Sequence, residues 1–309
     1  MANSKNNKVK ISCIITTFNR SAFVKKAIES VLAQTYKNFE LLVLDNESKD
    51  ETEEVVKKFK DKRISYIKHK PLGISEARNL GIRKSKGDYI AFLDDDDEWL
   101  TNKLKDQIEV FKKGPKEIGL VYGGFIKIDN DGNVLKKHHP QLKGSILKEL
   151  LSQEYPFTAS ASNPMIRKDV FREIGYYNKN ILTGEDWELY LRLAEKLGVD
   201  YTPKIVLKIR QHHGERLGDK IEEAAKLEIF VLKKYKKYFD EDARLKSFYL
   251  QRIGGKFCRL GKFKVCRNCL NKAIKINRFN YLAYIQYVFS LFGRSFYTFM
   301  HNFYKKITR

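Results

Sequence analysis

The sequence predicts an α/β fold, in which a mixed, mainly parallel sheet is flanked by helices and followed by an all-helical C-terminal region. In the first half of the chain, short apolar runs rich in β-branched residues alternate with segments of helical periodicity, a pattern typical of strands joined by crossover helices. From about residue 216 onward every segment has helical spacing and lysine is abundant. We therefore predict two regions, residues 1–217 containing the sheet and residues 218–309 forming a basic helical region.

The first four strands are near-continuous apolar runs, as expected where helices cover both faces of a parallel sheet. The pattern then changes, because 118–137 contains two strands joined at 129–132, an Asp-Gly turn sequence typical of hairpins. This part is followed by segment 163–177, a helix at 185–196 and a strand at 204–210. The first four strands are 10–18, 39–45, 64–69 and 88–94, and their following helices are 21–33, a helix from about 50, 75–84 and 100–111.

The C-terminal region contains one segment, from Gly254 to about residue 279, that resembles a single tetratricopeptide repeat, with Arg278 where that repeat usually has proline. One repeat cannot bury its own faces, so we expect a helical appendage that packs on the main domain. The last helix, 281–306, is aromatic on nearly all sides and has basic flanks. Residues 279–309 therefore suit an interfacial helix on an anionic membrane, and the alternative is a core or dimer helix.

The net charge of +22 is concentrated near the C-terminus, where residues 226–309 hold 20 Lys/Arg and 4 Asp/Glu. This bias suggests an anionic partner such as lipid headgroups, nucleic acid or acidic glycan, and a solvated lysine-rich surface is the alternative. We expect no nucleic-acid partner, because no nucleic-acid motif is recognisable. The chain lacks a signal-peptide pattern and a membrane-spanning apolar run. We expect a cytoplasmic protein, either free or peripheral at the inner membrane face.

The four cysteines do not predict a metal or redox centre. Cys266 and Cys269 form a C-x-x-C within a helical pattern, and no second ligand pair lies nearby. Cys13 lies in an apolar strand, which indicates a core position. With Cys258 as the fourth cysteine, we expect reduced thiols throughout.

Polar residues follow three of the predicted strands, at 16–20, 45–50 and 94–98. Ligands of open parallel sheets bind beyond the carboxyl ends of the strands, so three such junctions in order indicate a shared crevice, although each alone could be a capped turn. The run Asp94–Asp97 ends a buried strand. Mg²⁺ and Mn²⁺ prefer oxygen ligands, and Mg²⁺ typically combines one or two carboxylates with substrate phosphates. The run therefore favours a metal–phosphate site over a solvated acidic turn.

These residues carry a resemblance to the family 2 glycosyltransferases, nucleotide-sugar enzymes with the Rossmann-like GT-A fold. The resemblance covers about residues 9–215, roughly two thirds of the chain. Five blocks match in order: "SCIITTFNR" with "AIESVLAQTYKNFELLVLDNESKD", "GISEARNLGIRKSKGDYIAFLDDDDEWLTNKL", "NPMIRKDVFREIGYYNKN", "TGEDWELYLRLAEK" and "IRQHHG".

The resemblance implies a donor site at the strand ends. Asp45 would accept a hydrogen bond from the base, typically uracil N3–H, and Arg78 would lie near the nucleotide phosphates, where its planar fork matches phosphate oxygens. Asp94 or Asp95 would hold the ribose or a metal-bound water. The remaining donor-site residues are Thr16, Thr17 and Phe18, with Asn19 as a further candidate.

The resemblance also implies a metal site and a catalytic base. Asp96 and His212 would bind Mn²⁺ or Mg²⁺, with His213 as a rival to His212. Four consecutive aspartates leave the register open by one residue, and Asp97 is the expected bystander. Asp186 would be the general base that deprotonates the acceptor hydroxyl, with Glu185 beside it as a further candidate. The alternative for both carboxylates is a favourable interaction with the helix dipole.

The function that the resemblance implies is inverting, metal-dependent transfer of a sugar from a nucleotide-diphosphate sugar, UDP-linked, to a hydroxyl of a glycan or lipid-linked glycan. Segment 160–167 would lie on the acceptor side. One alternative is a polyprenyl-phosphate sugar synthase. Others are a non-enzymatic module that binds anionic lipid or nucleic acid, and an inactive scaffold, which the intact Asp45, Asp94–Asp96 and Asp186 oppose.

Overall fold

The computed structural model describes residues 10–152, 157–211 and 220–307. Two compact units make up the chain, the first comprising Met1–Asn180 and Glu185–Gly214 and the second Ile181–Gly184 and Glu215–Arg309. The domain boundary predicted at residues 217 and 218 lies outside the described residues.

The first unit is built on a mixed sheet, which confirms the predicted α/β class. The strands are β1 Ile11–Thr17, β2 Phe39–Asp45, β3 Ile64–Lys68, β4 Tyr89–Asp94, β5 Glu98–Trp99, β6 Ile118–Ile128, β7 Val134–His138, β8 Met165–Arg167 and β9 Gly198–Arg210. Their order is β3-β2-β1-β4-β8-β6-β9-β5, with β7 paired to β6. Strands β1 to β4 are parallel, β8 is antiparallel to both of its neighbours, and β6 and β9 are parallel.

Helices cover the sheet because each presents an apolar face to it. In the first helix Val24, Ala27, Ile28 and Val31 are buried, a spacing that lines one side of a helix. The apolar residues of β1 and β2 are buried as well, so the strands form the centre of the core. The helices of this unit are α1 Ser21–Leu32, α2 Thr52–Lys58, α3 Ile74–Lys84, α4 Lys103–Lys113, α5 Leu147–Ser152, α6 Val170–Ile174 and α7 Glu185–Ala194.

The segment after the acidic run differs from the prediction. The sequence predicts a helix from Leu100, but α4 begins at Lys103 because Glu98 and Trp99 first pair with β9. Trp99 is buried, and its indole N–H donates to the carbonyl oxygen of Ser162 at 2.8 Å. A strand of two residues is too short to show a periodicity, so the sequence pattern could not reveal it.

The second unit is helical, as predicted. Its helices are α8 Ile221–Lys234, α9 Lys236–Glu241, α10 Ala243–Arg259, α11 Phe263–Ile276, α12 Tyr281–Phe289 and α13 Gly293–Ile307. Helices α10 and α11 form the predicted pair, and a Cβ on Gly254 would lie 3.0 Å from Leu270. The expectation of reduced thiols is wrong for Cys258 and Cys266, which form a disulfide. The turn between α10 and α11 places the Cα atoms of these two cysteines 5.3 Å apart.

The prediction of a single terminal helix at 281–306 is also wrong, because the structure has two helices there, α12 and α13. Gly293 begins α13 with φ +85°, a left-handed conformation that glycine adopts without strain and that interrupts a helix. Large apolar side chains remain exposed on both helices, including Tyr281 at 68% and Phe299 at 65%. Within the described ranges, each helix is too short or too polar to cross a bilayer.

Candidate active site

The carboxyl ends of β1, β2 and β4 meet at one edge of the sheet. Thr17 of β1 is level with Asp45 of β2, and Thr16 is level with Asp94 of β4. The structure therefore brings together the three polar junctions that the sequence predicts to form one crevice.

The loop after β1 is held to the loop after β2 by two hydrogen bonds. The backbone N–H of Asn19 donates to Ser48 Oγ at 2.9 Å, and the backbone N–H of Lys49 donates to Asn19 Oδ1 at 2.7 Å. Asn19 has φ 52°, and Phe18 beside it is 51% exposed. An exposed aromatic ring on an anchored loop can stack on a planar ligand.

Asp45 is completely buried at the end of β2. Its Oδ1 accepts hydrogen bonds from the backbone N–H of Ser48 at 2.9 Å and from Ser48 Oγ at 2.6 Å, and its Oδ2 accepts one from the Tyr66 hydroxyl. The carboxylate therefore shapes the β2 loop. Its contact with a nucleotide base stays a prediction.

Two carboxylates of the acidic run converge on one cation. Arg20 Nη1 lies 3.1 Å from Asp95 Oδ1 and 2.7 Å from Asp96 Oδ2. Burial raises the pKa of Asp95 to about 6, although the Arg20 charge and the Thr17 hydroxyl oppose this shift. The sequence analysis assigned no role to Arg20, although this residue is the last of the first polar junction, residues 16–20.

Asp97 points away from this cation and into the protein. Its Oδ2 lies 2.7 Å from Ser162 Oγ and 2.9 Å from Ser160 Oγ, and its Oδ1 accepts from the backbone N–H of Arg210 at 3.3 Å. Burial and the nearby charge of Asp94 raise its pKa well above the ordinary value. These contacts give Asp97 a structural role, and its place as the bystander of the run stays a prediction.

Arg78 lies within a group of three carboxylates. Its Nη2 is 2.9 Å from Asp94 Oδ1, and its Nη1 is 2.9 Å from Glu185 Oε1 and 2.8 Å from Asp186 Oδ1. Burial opposes its charge, but the carboxylates outweigh burial and raise the pKa of Arg78 well above its ordinary value. The guanidinium thus links β4 to the first turn of α7. Its predicted contact with nucleotide phosphates stays a prediction.

Asp186 lies in the first turn of α7 and keeps 23% of its side chain exposed. Burial raises its pKa to about 7, the positive charge of Arg78 opposes the shift, and the negative charge of Glu185 adds to it. A carboxylate whose pKa lies near neutral pH and which is accessible from the crevice can act as a general base.

The residues of the acidic run fit a hard divalent cation. Asp95 and Asp96 already direct one oxygen each to a single positive group on Arg20, and Mg²⁺ and Mn²⁺ bind such oxygens. In the part of the chain that the structure describes, no cluster of three or more His, Cys, Asp or Glu side chains is arranged to hold a metal. A cation here would take further ligands from substrate phosphates or water. The predicted ligand His212 and its rival His213 lie outside the described residues.

The fold is that of the GT-A class of glycosyltransferases. The structure matches TarS of S. aureus, solved in complex with UDP-GlcNAc, with a TM-score of 0.63 and 18% identity over 86% of this chain and 81% of that one. It also matches the mannosyltransferase PcManGT of Pyrobaculum calidifontis, solved with GDP-Man and Mn²⁺, with a TM-score of 0.61 and 14% identity over 87% and 76% of the two chains. At these identities the likeness shows the fold alone.

The chain belongs to glycosyl transferase family 2, whose family model matches residues 12–175. It is therefore a member of a family of enzymes that transfer sugars, and the resemblance seen in the sequence is confirmed. Among its relatives is an uncharacterized glycosyltransferase of Rickettsia conorii, 33% identical over 207 residues. Another is the Escherichia coli enzyme WfgD, named as a UDP-Glc:alpha-D-GlcNAc-diphosphoundecaprenol beta-1,3-glucosyltransferase, which is 39% identical over 132 residues.

These matches cover only part of each relative. The alignment with the R. conorii protein spans 65% of this chain and 34% of that protein, and the alignment with WfgD spans 42% and 51%. The chain thus matches about a third of one relative and about half of the other.

Proposed function

We propose that this chain transfers a sugar from a UDP-linked donor to a hydroxyl of a lipid-linked glycan, with inversion at the anomeric carbon. The observation that carries the proposal is the Arg78 guanidinium, which joins Asp94 on the donor side to Asp186 on the opposite side of the crevice. A base held at a fixed distance from the donor-side carboxylates suits a reaction between two bound substrates.

In this reaction Asp186 accepts the proton of the acceptor hydroxyl. The hydroxyl oxygen forms a bond to the anomeric carbon as the bond from that carbon to the donor diphosphate breaks, and the diphosphate departs from the opposite face. One displacement of this kind inverts the anomeric centre. The near-neutral pKa of Asp186 supports its role as base, because such a group is both ionised and basic enough near pH 7.

The donor would bind at the ends of β1, β2 and β4. Phe18 would stack on the base, and Thr16 and Thr17 at the end of β1 would line its pocket. Asp45, which accepts hydrogen bonds from Ser48 and Tyr66, would also accept one from uracil N3–H. The choice of a UDP-linked donor and of a lipid-diphosphate acceptor rests on the name of WfgD, to which the chain is 39% identical over the region they share.

Asp95 and Asp96 would hold Mn²⁺ or Mg²⁺, with His212 as a further ligand. Such a cation supplies positive charge that offsets the charge developing on the diphosphate leaving group. Asp94, which contacts Arg78, would instead face the ribose or a water on the cation. The pairing of Asp95 and Asp96 with Arg20 supports this assignment.

We also propose that the chain binds the surface of an anionic membrane through residues 279–309. Helices α12 and α13 and the turn between them expose Tyr281, Ile285, Phe292 and Phe299. Residues 279–309 contain no acidic residue and include four Lys or Arg. Exposed aromatic side chains with basic neighbours suit the bilayer interface.

The donor proposal is tested by thermal unfolding with UDP, GDP and TDP, each with and without Mn²⁺, and by a hydrolysis screen of the corresponding nucleotide sugars. We expect UDP with Mn²⁺ to raise Tm, and a UDP-sugar to be hydrolysed slowly without an acceptor. Asp96→Asn should lose the metal-dependent rise in Tm, whereas Asp131→Asn in an exposed turn should keep it. If no nucleotide raises the Tm of the unaltered protein in a metal-dependent way, the proposal for the donor site is wrong.

A further inference from the structure

The β6–β7 hairpin extends from the same edge of the sheet as the acidic run. Ile90 of β4 and Leu120 of β6 both pair with Ile166 of β8, so they are level across the sheet. Asp94 lies further along β4, and the turn at 129–132 lies still further along β6. Because β4 and β6 run in the same direction, the hairpin projects beyond the crevice on the side of the active site.

Arg210 fixes this hairpin to the acidic run. Its Nη1 donates to the carbonyl oxygens of Asn130 at 3.1 Å and Asp129 at 3.3 Å, and its Nη2 lies 2.6 Å from Glu98 Oε1. Its backbone N–H donates to Asp97. The turn of the hairpin and the end of the acidic run are therefore held by one buried side chain.

The stem of the hairpin is both apolar and basic. Val134 and Leu135 are 52% and 53% exposed, and Lys136 and Lys137 after them are also exposed. Lys136 lies directly opposite Lys127 in the ladder, an arrangement that destabilises a strand pair through repulsion. Over the described ranges, Lys136 and Lys137 make no ion pair with a carboxylate.

The lysine charges of the stem act on the neighbouring His138. The pKa of His138 is lowered by burial and then by the charges of Lys136 and Lys127. The nearest carboxylate in the turn, Asp129, accepts hydrogen bonds from the backbone and side chain of Asn133 at 2.8 and 3.0 Å. An anion bound to the stem would relieve the repulsion between its lysines.

We propose that Lys127 and Lys136 bind the diphosphate of a lipid-linked glycan acceptor, and that Val134, which lies on the same face of the strand as Lys136, contacts the adjoining hydrocarbon chain. The inference rests on the proposed function, because it takes the acceptor to be a lipid diphosphate. It adds to that function a surface that binds the diphosphate and the hydrocarbon chain of the acceptor. The hydroxyl of the glycan would then extend from this surface to Asp186.

Lysines on an edge strand also discourage pairing with the edge of another sheet. If this were the only role of the lysines, the affinity for an acceptor would not depend on whether the acceptor carries a diphosphate. The two roles are therefore separated by comparing acceptors that share a sugar and a chain but differ in the diphosphate.

The test compares N-acetylglucosaminyl diphosphate esterified to a short alkyl chain with the corresponding alkyl glycoside that lacks the diphosphate. Calorimetric titration measures the Kd of each acceptor, and steady-state kinetics measures its KM. In Lys136→Ala we expect the Kd and KM for the diphosphate acceptor to rise at least about tenfold, since a hydrogen bond to a charged group contributes about 1.5–3 kcal/mol. The values for the alkyl glycoside and the KM for the UDP-sugar should not change.

Lys113→Ala, which removes one exposed charge at the end of α4, is the matched control and should leave every value unchanged. Binding of the diphosphate acceptor should also raise the pKa of His138, followed by NMR. The inference is overturned if the unaltered protein binds both acceptors equally, or if the stem variant binds the diphosphate acceptor normally. Lysine-dependent binding without sugar transfer would support the surface and contradict the proposed function.

Discussion

Arg78 Nη1 donates a hydrogen bond to Asp186 Oδ1 over 2.8 Å, and only 5% of the arginine side chain is exposed. The same guanidinium contacts Glu185 and Asp94. A buried arginine with three carboxylates is a network in which removal of one member leaves the others uncompensated. This network connects the strand that carries the acidic run to the helix that carries the base.

Arg78→Gln should therefore destabilise the protein strongly. Loss of one partner from a buried ion pair costs about 3–5 kcal/mol, because the remaining carboxylates stay in a poorly solvated site. Arg78→Lys should have an intermediate effect, since an ammonium group cannot contact all three carboxylates as the planar fork does. Urea unfolding measures the free energy of unfolding, with Arg83→Gln on the exposed side of α3 as the control. An Arg78→Gln variant as stable as the control would contradict the network.

Asp186→Asn should lower kcat at least about a hundredfold, as expected for loss of a general base, while the affinity for UDP with Mn²⁺ is retained. In the unaltered enzyme kcat/KM should rise with pH through about 7, because Asp186 must lose its proton to act and its pKa is raised to about 7. Steady-state kinetics over this range measures both effects. Turnover by the Asn variant at the normal rate would place the base elsewhere.

The same substitution should stabilise the fold at alkaline pH. The folded pKa of Asp186 lies above its ordinary value of 3.8, so the folded state holds a proton that the unfolded state releases between these pH values. Its contribution to stability is full below the lower value and is lost as pH rises through about 7. Asp186→Asn should therefore raise Tm more at pH 8 than at pH 4, and the opposite order would contradict the raised pKa.

The position of the candidate site at the strand ends could be predicted from the sequence, but the contacts between its side chains could not. Apolar runs that end in polar residues placed Thr17, Asp45 and Asp94 at strand ends, because strand ends depend on local patterns. Arg20 contacts Asp95, which lies 75 residues away along the chain, and Arg78 contacts Asp186, which lies 108 residues away. Such pairs follow from how the strands and helices pack, which a local pattern does not contain.

The C-terminal region shows the same limit. Helical periodicity correctly indicated helices, but it could not predict that Cys258 and Cys266 meet, since their contact depends on how α10 turns into α11. The break at Gly293 was missed because a single glycine within an aromatic segment is also tolerated inside a helix.

Phe292→Ser/Phe299→Ser should weaken binding to vesicles that contain phosphatidylglycerol. These side chains are 63% and 65% exposed, and burying one phenylalanine in an apolar environment contributes about 1.5–3 kcal/mol, so the partition coefficient should fall at least about tenfold. Sedimentation with vesicles measures it. Phe230→Ser/Val265→Ser, which alters two other exposed apolar residues of this unit, should bind normally. If the unaltered protein fails to bind, the membrane proposal is wrong.

Lys103→Met should remove a pH dependence of stability that does not involve the proposed catalytic base. Lys103 is fully buried, its Nζ donates to Gln107 Oε1 at 2.6 Å, and it lies 4.5 Å from the centroid of the Trp99 ring. Burial lowers the pKa of this lysine from 10.5 to about 7. Between these values the unfolded state holds a proton that the folded state lacks, so stability should rise with pH across this window.

The free energy of unfolding of the unaltered protein, measured in urea, should therefore increase from pH 7 to pH 9 by about 2 kcal/mol more than that of Lys103→Met, since each pKa unit corresponds to about 1.4 kcal/mol. Lys105→Met changes an exposed lysine on the same helix and should keep the pH dependence of the unaltered protein. Equal pH dependence in Lys103→Met and the unaltered protein would mean that the buried amine keeps its ordinary pKa. Because Met fills a similar volume without a charge to desolvate, Lys103→Met should also be the more stable protein at pH 6, despite the lost hydrogen bond to Gln107.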